Sequence, residues 1–269
     1  METENKVLFR CSRLGDLMTG IIGLTPNQKV LIESYRSRYN GIGKPLTENQ
    51  LIEFGKLLEK EKSIDISETA KTFVLDTFLQ SEFGYEDVLV NDAMMKGLLL
   101  ESEAIALVSQ FDGVFYRKNK ERRSNDWIIG ELDVVTRDHI KDIKVSKSID
   151  TFAKVTDVSK LYYWQAVGYM WLWNIPNYSL TYVLMPDTDE MVDRQLSRLS
   201  YLLVGEDYEQ AVDQIKHNNA VINKLPIELR VKKFDFTLNE MDIDLLKEQI
   251  TKARIEYEKI KAQWSSKVA

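Results

Sequence analysis

Residues 130–146, GELDVVTRDHIKDIKVS, hold two short runs of alternating apolar and polar residues around a polar turn near Arg137 and Asp138. A period of two is the mark of a strand with one buried face, and two such runs about a short turn read as a hairpin. A symmetric two- or four-residue loop sets Val135 opposite Ile140 and Asp133 opposite Asp142. Asp133, Asp142 and Lys144 then share one face, and Leu132, Val134 and Ile143 the other. Carboxylates opposed across a strand pair repel each other. A divalent cation between them reverses the sign of that interaction. Lys144 would stand beside such a cation, an arrangement suited to phosphodiester hydrolysis: the cation activates a water and neutralises phosphate charge, while the lysine orients or deprotonates the water or stabilises the pentavalent phosphate.

Around this hairpin the hydrophobic period is helical. Residues 9–20 (FRCSRLGDLMTG) read as a loop entering a short helix, and residues 21–45 as an irregular connection. Thr47 and Ser67 are N-cap candidates for two helices, the second ending before Gly84. A third helix is expected from about Asp92 to Ser109. FDGVFY (111–116), DWIIGELDVVT (126–136) and HIKDIKV (139–145) read as strands. KLYYWQAVGYMWLW (160–173) returns to a helix, YSLTYVLM is a strand stopped at Pro186, and the remainder is helical, ending in an amphipathic segment over about 238–264. The expected fold is α/β, a mixed central β-sheet flanked by helices, with additional N- and C-terminal helices. One domain over 1–269 is expected, with a helical part (1–90), a catalytic core (91–186) and a C-terminal helical part (187–269).

The single cysteine, Cys11, forbids a disulfide framework or an iron–sulfur cluster, and the two histidines, His139 and His217, lie far apart in sequence. A metal would therefore take oxygen ligands, which points to Mg²⁺, with Mn²⁺ as substitute. No apolar run is long enough to span a bilayer, so no membrane role and a cytoplasmic setting are expected. The net charge of −6 runs against a nucleic-acid binder, but RKNKERR (117–123) concentrates five positive residues and one negative. That stretch reads as a solvated loop or, through Arg122 and Arg123, as a DNA contact.

GELDVV followed by DIKVS resembles the paired-strand motif of PD-(D/E)XK nucleases, whose fold is restriction-endonuclease-like. KGLLLESEA (96–104) is similar to the helical G-x-x-x-E-x-x-A motif of the branch containing lambda exonuclease and YqaJ-type viral recombination nucleases. The resemblance puts Glu101 on the metal, with Glu103 as rival, beside Asp133, Asp142 and the carbonyl of Ile143. YYWQAVGYMWLW resembles the Q-x-x-x-Y helix of the same branch. It implies Gln165 near the catalytic lysine or the DNA backbone, with Tyr169 nearby. FRCSRLGDLMTG is similar to the segment that holds a terminal phosphate, a role falling on Ser12 and Arg13. The sequence departs from the pattern in its tight gap between Asp133 and Asp142, and in Leu132 where the motif has proline.

The resemblance implies a metal-dependent exonuclease acting on linear duplex DNA in phage-type recombination or repair. An endonuclease and an inactive DNA-binding scaffold on the same fold are the alternatives. It also implies a single-strand annealing protein as partner and a closed homo-oligomer, for which the C-terminal helix offers Ile243, Leu246, Ile250, Tyr257 and Ile260 at helical spacing. The same stripe fits a helix packed on its own domain.

Overall fold

The computed structural model describes residues 6–21, 23–63, 65–87 and 91–266. The chain opens on β1 (Phe9–Arg10), one 3₁₀ turn (Cys11–Arg13) and a four-residue helix, α1 (Leu14–Leu17). Three longer helices follow: α2 (Pro26–Tyr39), α3 (Glu48–Lys62) and α4 (Glu68–Phe83). The first corrects the expected irregular connection over 21–45. Thr25 accepts a hydrogen bond from the Gln28 amide and the Gln28 side chain accepts one from the Thr25 amide, at 3.3 and 3.1 Å. With Pro26 at the first helical position, this capping box starts a helix that the weak amphipathicity hid. Ile32 and Tyr35 then bury against Phe54 and Leu57 of α3, in a cluster separate from the main core. Thr47 and Ser67 cap α3 and α4 as the sequence predicts, and Gly84 ends α4 in the left-handed conformation.

The third expected helix is two, α5 (Asp92–Leu99) and α6 (Glu101–Asp112), broken at Leu100. FDGVFY is no strand: Phe111 and Asp112 complete α6, and Gly113 caps it at φ 66°. The strand lies inside the basic stretch instead, as β2 (Arg122–Ser124). Next come β3 (Ile128–Glu131), β4 (Val134–Val135), β5 (His139–Ser146), α7 (Ile149–Ala153), α8 (Lys160–Trp173) and β6 (Asn177–Leu184). The C-terminal part contains α9 (Asp189–Ser200), α10 (Glu206–Lys224), β7 (Val231–Thr237) and α11 (Glu240–Ser265). β7 corrects the expectation of helix throughout, and its burial alternates residue by residue as a strand's does.

The strands form two sheets among the described residues, β1-β3-β2 and β4-β5-β6-β7. β1 and β3 are parallel, as are β5 and β6; the other pairs are antiparallel. Val135 pairs with Ile140 and Val134 with Lys141, the register expected of the hairpin. At Leu132–Asp133 the chain bends out of the first sheet into the second. The bend overturns one expected face: Leu132 packs into the main core with Ile140 and Tyr178, whereas Val134 and Ile143 pack into the second cluster with Val108 and Val183.

The main core draws Phe73 and Phe78 from α4, Met170 from α8, Tyr178 from β6 and Leu246 and Ile250 from α11. Leu246, Ile250 and Tyr257 of the α11 stripe are therefore covered by their own chain, with Tyr257 stacked edge-on against Phe78, as the packed-helix alternative has it. Helix α8 lies close against the N-terminal turn. A Cβ on Gly15 would come within 2.5 Å of the Leu161 Cα, and one on Gly168 would overlap Leu14. No helix among the described residues is long and apolar enough to cross a membrane.

Candidate active site

The bend at Asp133, the middle of β5 and the buried face of α8 meet at one place. The Oδ2 atom of Asp133 accepts the Ile143 amide at 2.8 Å, which ties the carboxylate to β5 just before β4 begins. Asp142, nearly fully buried, receives the Lys144 ammonium on Oδ1 at 2.8 Å. Its other oxygen, Oδ2, is buried with no hydrogen-bond partner. Leaving a buried carboxylate oxygen unpaired is costly.

Burial raises the Asp133 carboxyl to about 7, and the neighbouring Asp142 charge adds to the effect. Burial alone would push Lys144 down; Asp142 and Asp133 outweigh it and hold the ammonium above its usual value. The Lys144 ammonium also sits 5.0 Å from the centre of the Tyr162 ring, which packs edge-on against Tyr182.

Glu101 begins α6, and its carboxylate is paired with Lys118. The same ammonium also feels the charges of Asp133 and Glu131. Glu103 is exposed. Gln165 is buried in α8, beside the Tyr169 hydroxyl. Tyr169 is only 4% exposed. Burial raises its hydroxyl, next to Cys11, Asp142 and Asp133. The structure thus buries Tyr169 close to the two carboxylates, packed on Gly130 and Trp173.

The expected phosphate contacts are dispersed. Ser12 is exposed on the turn after β1. The Arg13 guanidinium binds Asp16 at 2.8 Å and Asp76 at 2.7 Å and lies over the Phe73 ring. Arg123 pairs with Glu121 and lies over Trp173. Arg122 makes no ion pair among the described residues and lines a cavity of about 1240 Å³ with Lys6, Arg10, Arg254 and Lys261.

The site therefore unites Asp133, Asp142, Ile143, Lys144, Gln165 and Tyr169, holds Glu101 at its edge through Lys118, and leaves Ser12, Arg13 and Arg123 engaged elsewhere or apart. Sequence reasoning missed Lys118, Tyr162 and Tyr178. Lys118 lay inside the basic stretch, but its charge was weighed only for phosphates. The Tyr178 hydroxyl is buried beside Asp142, a contact between strands that the spacing along β6 does not mark.

Among the described residues no three Asp, Glu, His or Cys side chains form a ready-made ion cage. Two carboxylates with an unpaired oxygen still fit a hard cation such as Mg²⁺, which keeps waters and shares its ligands with a phosphate.

No protein-family description and no curated protein matches the chain. Solved structures do. A phage-related exonuclease from Haemophilus somnus 129PT superposes with a TM-score of 0.64 at 22% identity, over 96% of this chain and 97% of that one. The alkaline exonuclease LHK-Exo from Laribacter hongkongensis superposes at 0.52 and 13% identity, over 76% and 88% of the two chains. Its complex with dAMP superposes at 0.53 and 12%, over 98% and 96%. The chain has the restriction-endonuclease-like fold of these phage-related and alkaline exonucleases.

Proposed function

We propose that this chain is a divalent-metal-dependent DNA exonuclease that hydrolyses phosphodiester bonds from duplex ends, in phage-type recombination or repair. The observation that carries the reading is the buried Asp142 carboxylate beside Asp133, with one oxygen held by the Lys144 ammonium and the other without a hydrogen-bond partner. The exonucleases that share the fold along its whole length support it.

Asp133 and Asp142 would hold the cation, joined by Glu101 and by the Ile143 carbonyl, which points to the same side of β5 as the amide bonded to Asp133. When bound, Mg²⁺ or Mn²⁺ would supply an activated water and neutralise charge on the phosphate. Lys144, kept as an ammonium by the two aspartates, holds its proton at Nζ and contributes positive charge beside the phosphate. Gln165 and Tyr169 pack close to the carboxylates and fix their orientation. Arg122, in its cavity with Lys6 and Arg10, would take the DNA backbone. Ser12, exposed on its turn, would assist at the terminal phosphate.

Digestion of an end-labelled linear duplex with Mg²⁺, with and without a 5′ phosphate, beside a covalently closed circle, tests this reading. Loss of the linear duplex with the circle intact is the expected result. Cutting of the circle would make the chain an endonuclease, and no cutting of either would make it an inactive scaffold.

A further inference from the structure

Lys118 lies in residues 115–120, which form neither helix nor strand between α6 and β2. The next residue, Asn119, anchors this stretch to the site: its amide donates to the Asp133 carbonyl at 2.6 Å, and its side chain donates to the carbonyls of Leu132 and Glu121. The bend that presents Asp133 and the backbone that carries Lys118 are therefore one hydrogen-bonded unit. From it the Lys118 ammonium reaches across to Glu101. Asp133 and Glu131 act on the same ammonium.

Two ammonium groups thus serve the carboxylates here: Lys118, paired with Glu101 and within the field of Asp133 and Glu131, and Lys144, paired with Asp142. Lys118 is 44% exposed in its side chain, against 25% for Lys144, so it can leave towards solvent while Lys144 is held.

We propose that Lys118 is a built-in counter-ion of the resting site, occupying the edge of the carboxylate cluster until a divalent cation enters and displaces it from Glu101. Lys118 then sets how tightly the cation binds. A divalent cation at Asp133 and Asp142 supplies the positive charge that the cluster lacks. It also repels the Lys118 ammonium, and Glu101 cannot serve both at full strength. The inference rests on the metal-dependent reading above and concerns only the binding step. Lys118 is accordingly a positioning residue for the carboxylates.

The experiment is a Mn²⁺ titration followed by the loss of the free-ion electron paramagnetic resonance signal, on the full chain without DNA. The proteins are wild type, Lys118→Met and Lys118→Arg. Circular dichroism melting confirms that each is folded. Lys118→Met is expected to bind Mn²⁺ on the order of tenfold more tightly than wild type, the effect of removing one like charge at short range in partly solvated surroundings. Lys118→Arg keeps the charge and is expected to stay near wild type. Saturable wild-type binding with no tightening in Lys118→Met overturns the counter-ion proposal and leaves the nuclease reading standing. Absence of Mn²⁺ binding in wild type and Lys118→Met alike overturns both. Binding that appears only in Lys118→Met supports the proposal in its strongest form.

Discussion

Asp133 and Asp142 carry opposite obligations at the residue scale. Stability of the metal-free protein favours the neutral form of Asp133, and the proposed chemistry needs both carboxylates ionised. Asp142→Asn should therefore cut cleavage by on the order of 10²-fold or more, since charge stabilisation at the phosphate is lost. Lys144→Ala should do the same by removing the ammonium. Both are read by end-labelled duplex digestion, and near-normal cleavage by Asp142→Asn would falsify the site. Asp133 adds a pH signature. Its folded carboxyl is raised to about 7 from an ordinary 3.8. Between those values the native state binds more protons than the unfolded chain, so stability falls as pH rises through the window and levels off above it. With EDTA present, Asp133→Asn should raise the melting temperature at pH 8 and change it far less at pH 5. An equal gain at both pH values would show that Asp133 titrates normally.

At the scale of elements, the site depends on how closely α8 approaches the N-terminal turn. Gly15 faces the Leu161 backbone, which cannot move aside as a flexible side chain would. Gly15→Ala should therefore push α8 outward and cost about 1–3 kcal/mol, read by denaturant melting. Cleavage should fall with it, because Gln165 and Tyr169 move as part of α8. The hairpin register was legible because β-side chains alternate and one face is buried, so a slip would invert every residue. The Thr47 and Ser67 caps were legible because capping is local chemistry. β7 hid because VKKFDFT alternates within a region that is otherwise helical, and its partner β6 lies 48 residues back along the register, from Val183 to Val231 at one end. The FDGVFY error has a similar cause: an alternating hexamer was read as a strand, although Gly113 only ends α6. At the site, Asp133, Asp142 and Lys144 follow from spacing along the motif strands, and Gln165 and Tyr169 of α8 from the family resemblance. Lys118 and Tyr178 join through tertiary contacts that no spacing records.

For the whole molecule, a net charge of −6 leaves little long-range attraction for a polyanion, so any DNA contact must come from local clusters. Partnership decides which cations can serve. Arg13 is held by two aspartates and Arg123 by Glu121, whereas Arg122 has no acidic partner among the described residues and opens on the cavity it shares with Lys6 and Arg10. Replacing a cation that already neutralises a carboxylate releases few counterions when DNA binds. Replacing one that would neutralise a phosphate changes the salt dependence directly. Arg122→Ala should therefore lower the slope of log affinity against log salt by roughly 0.9, uniformly across sequences, and Arg123→Ala should leave it almost unchanged. Fluorescence anisotropy on a labelled duplex at several salt concentrations separates the two, with Ca²⁺ in place of Mg²⁺ to suppress cleavage. Equal losses from both arginines would mean that the Glu121 pair opens on binding and that the whole basic stretch faces DNA. No loss from either would return β2 to a purely structural role, as the edge strand paired with β3.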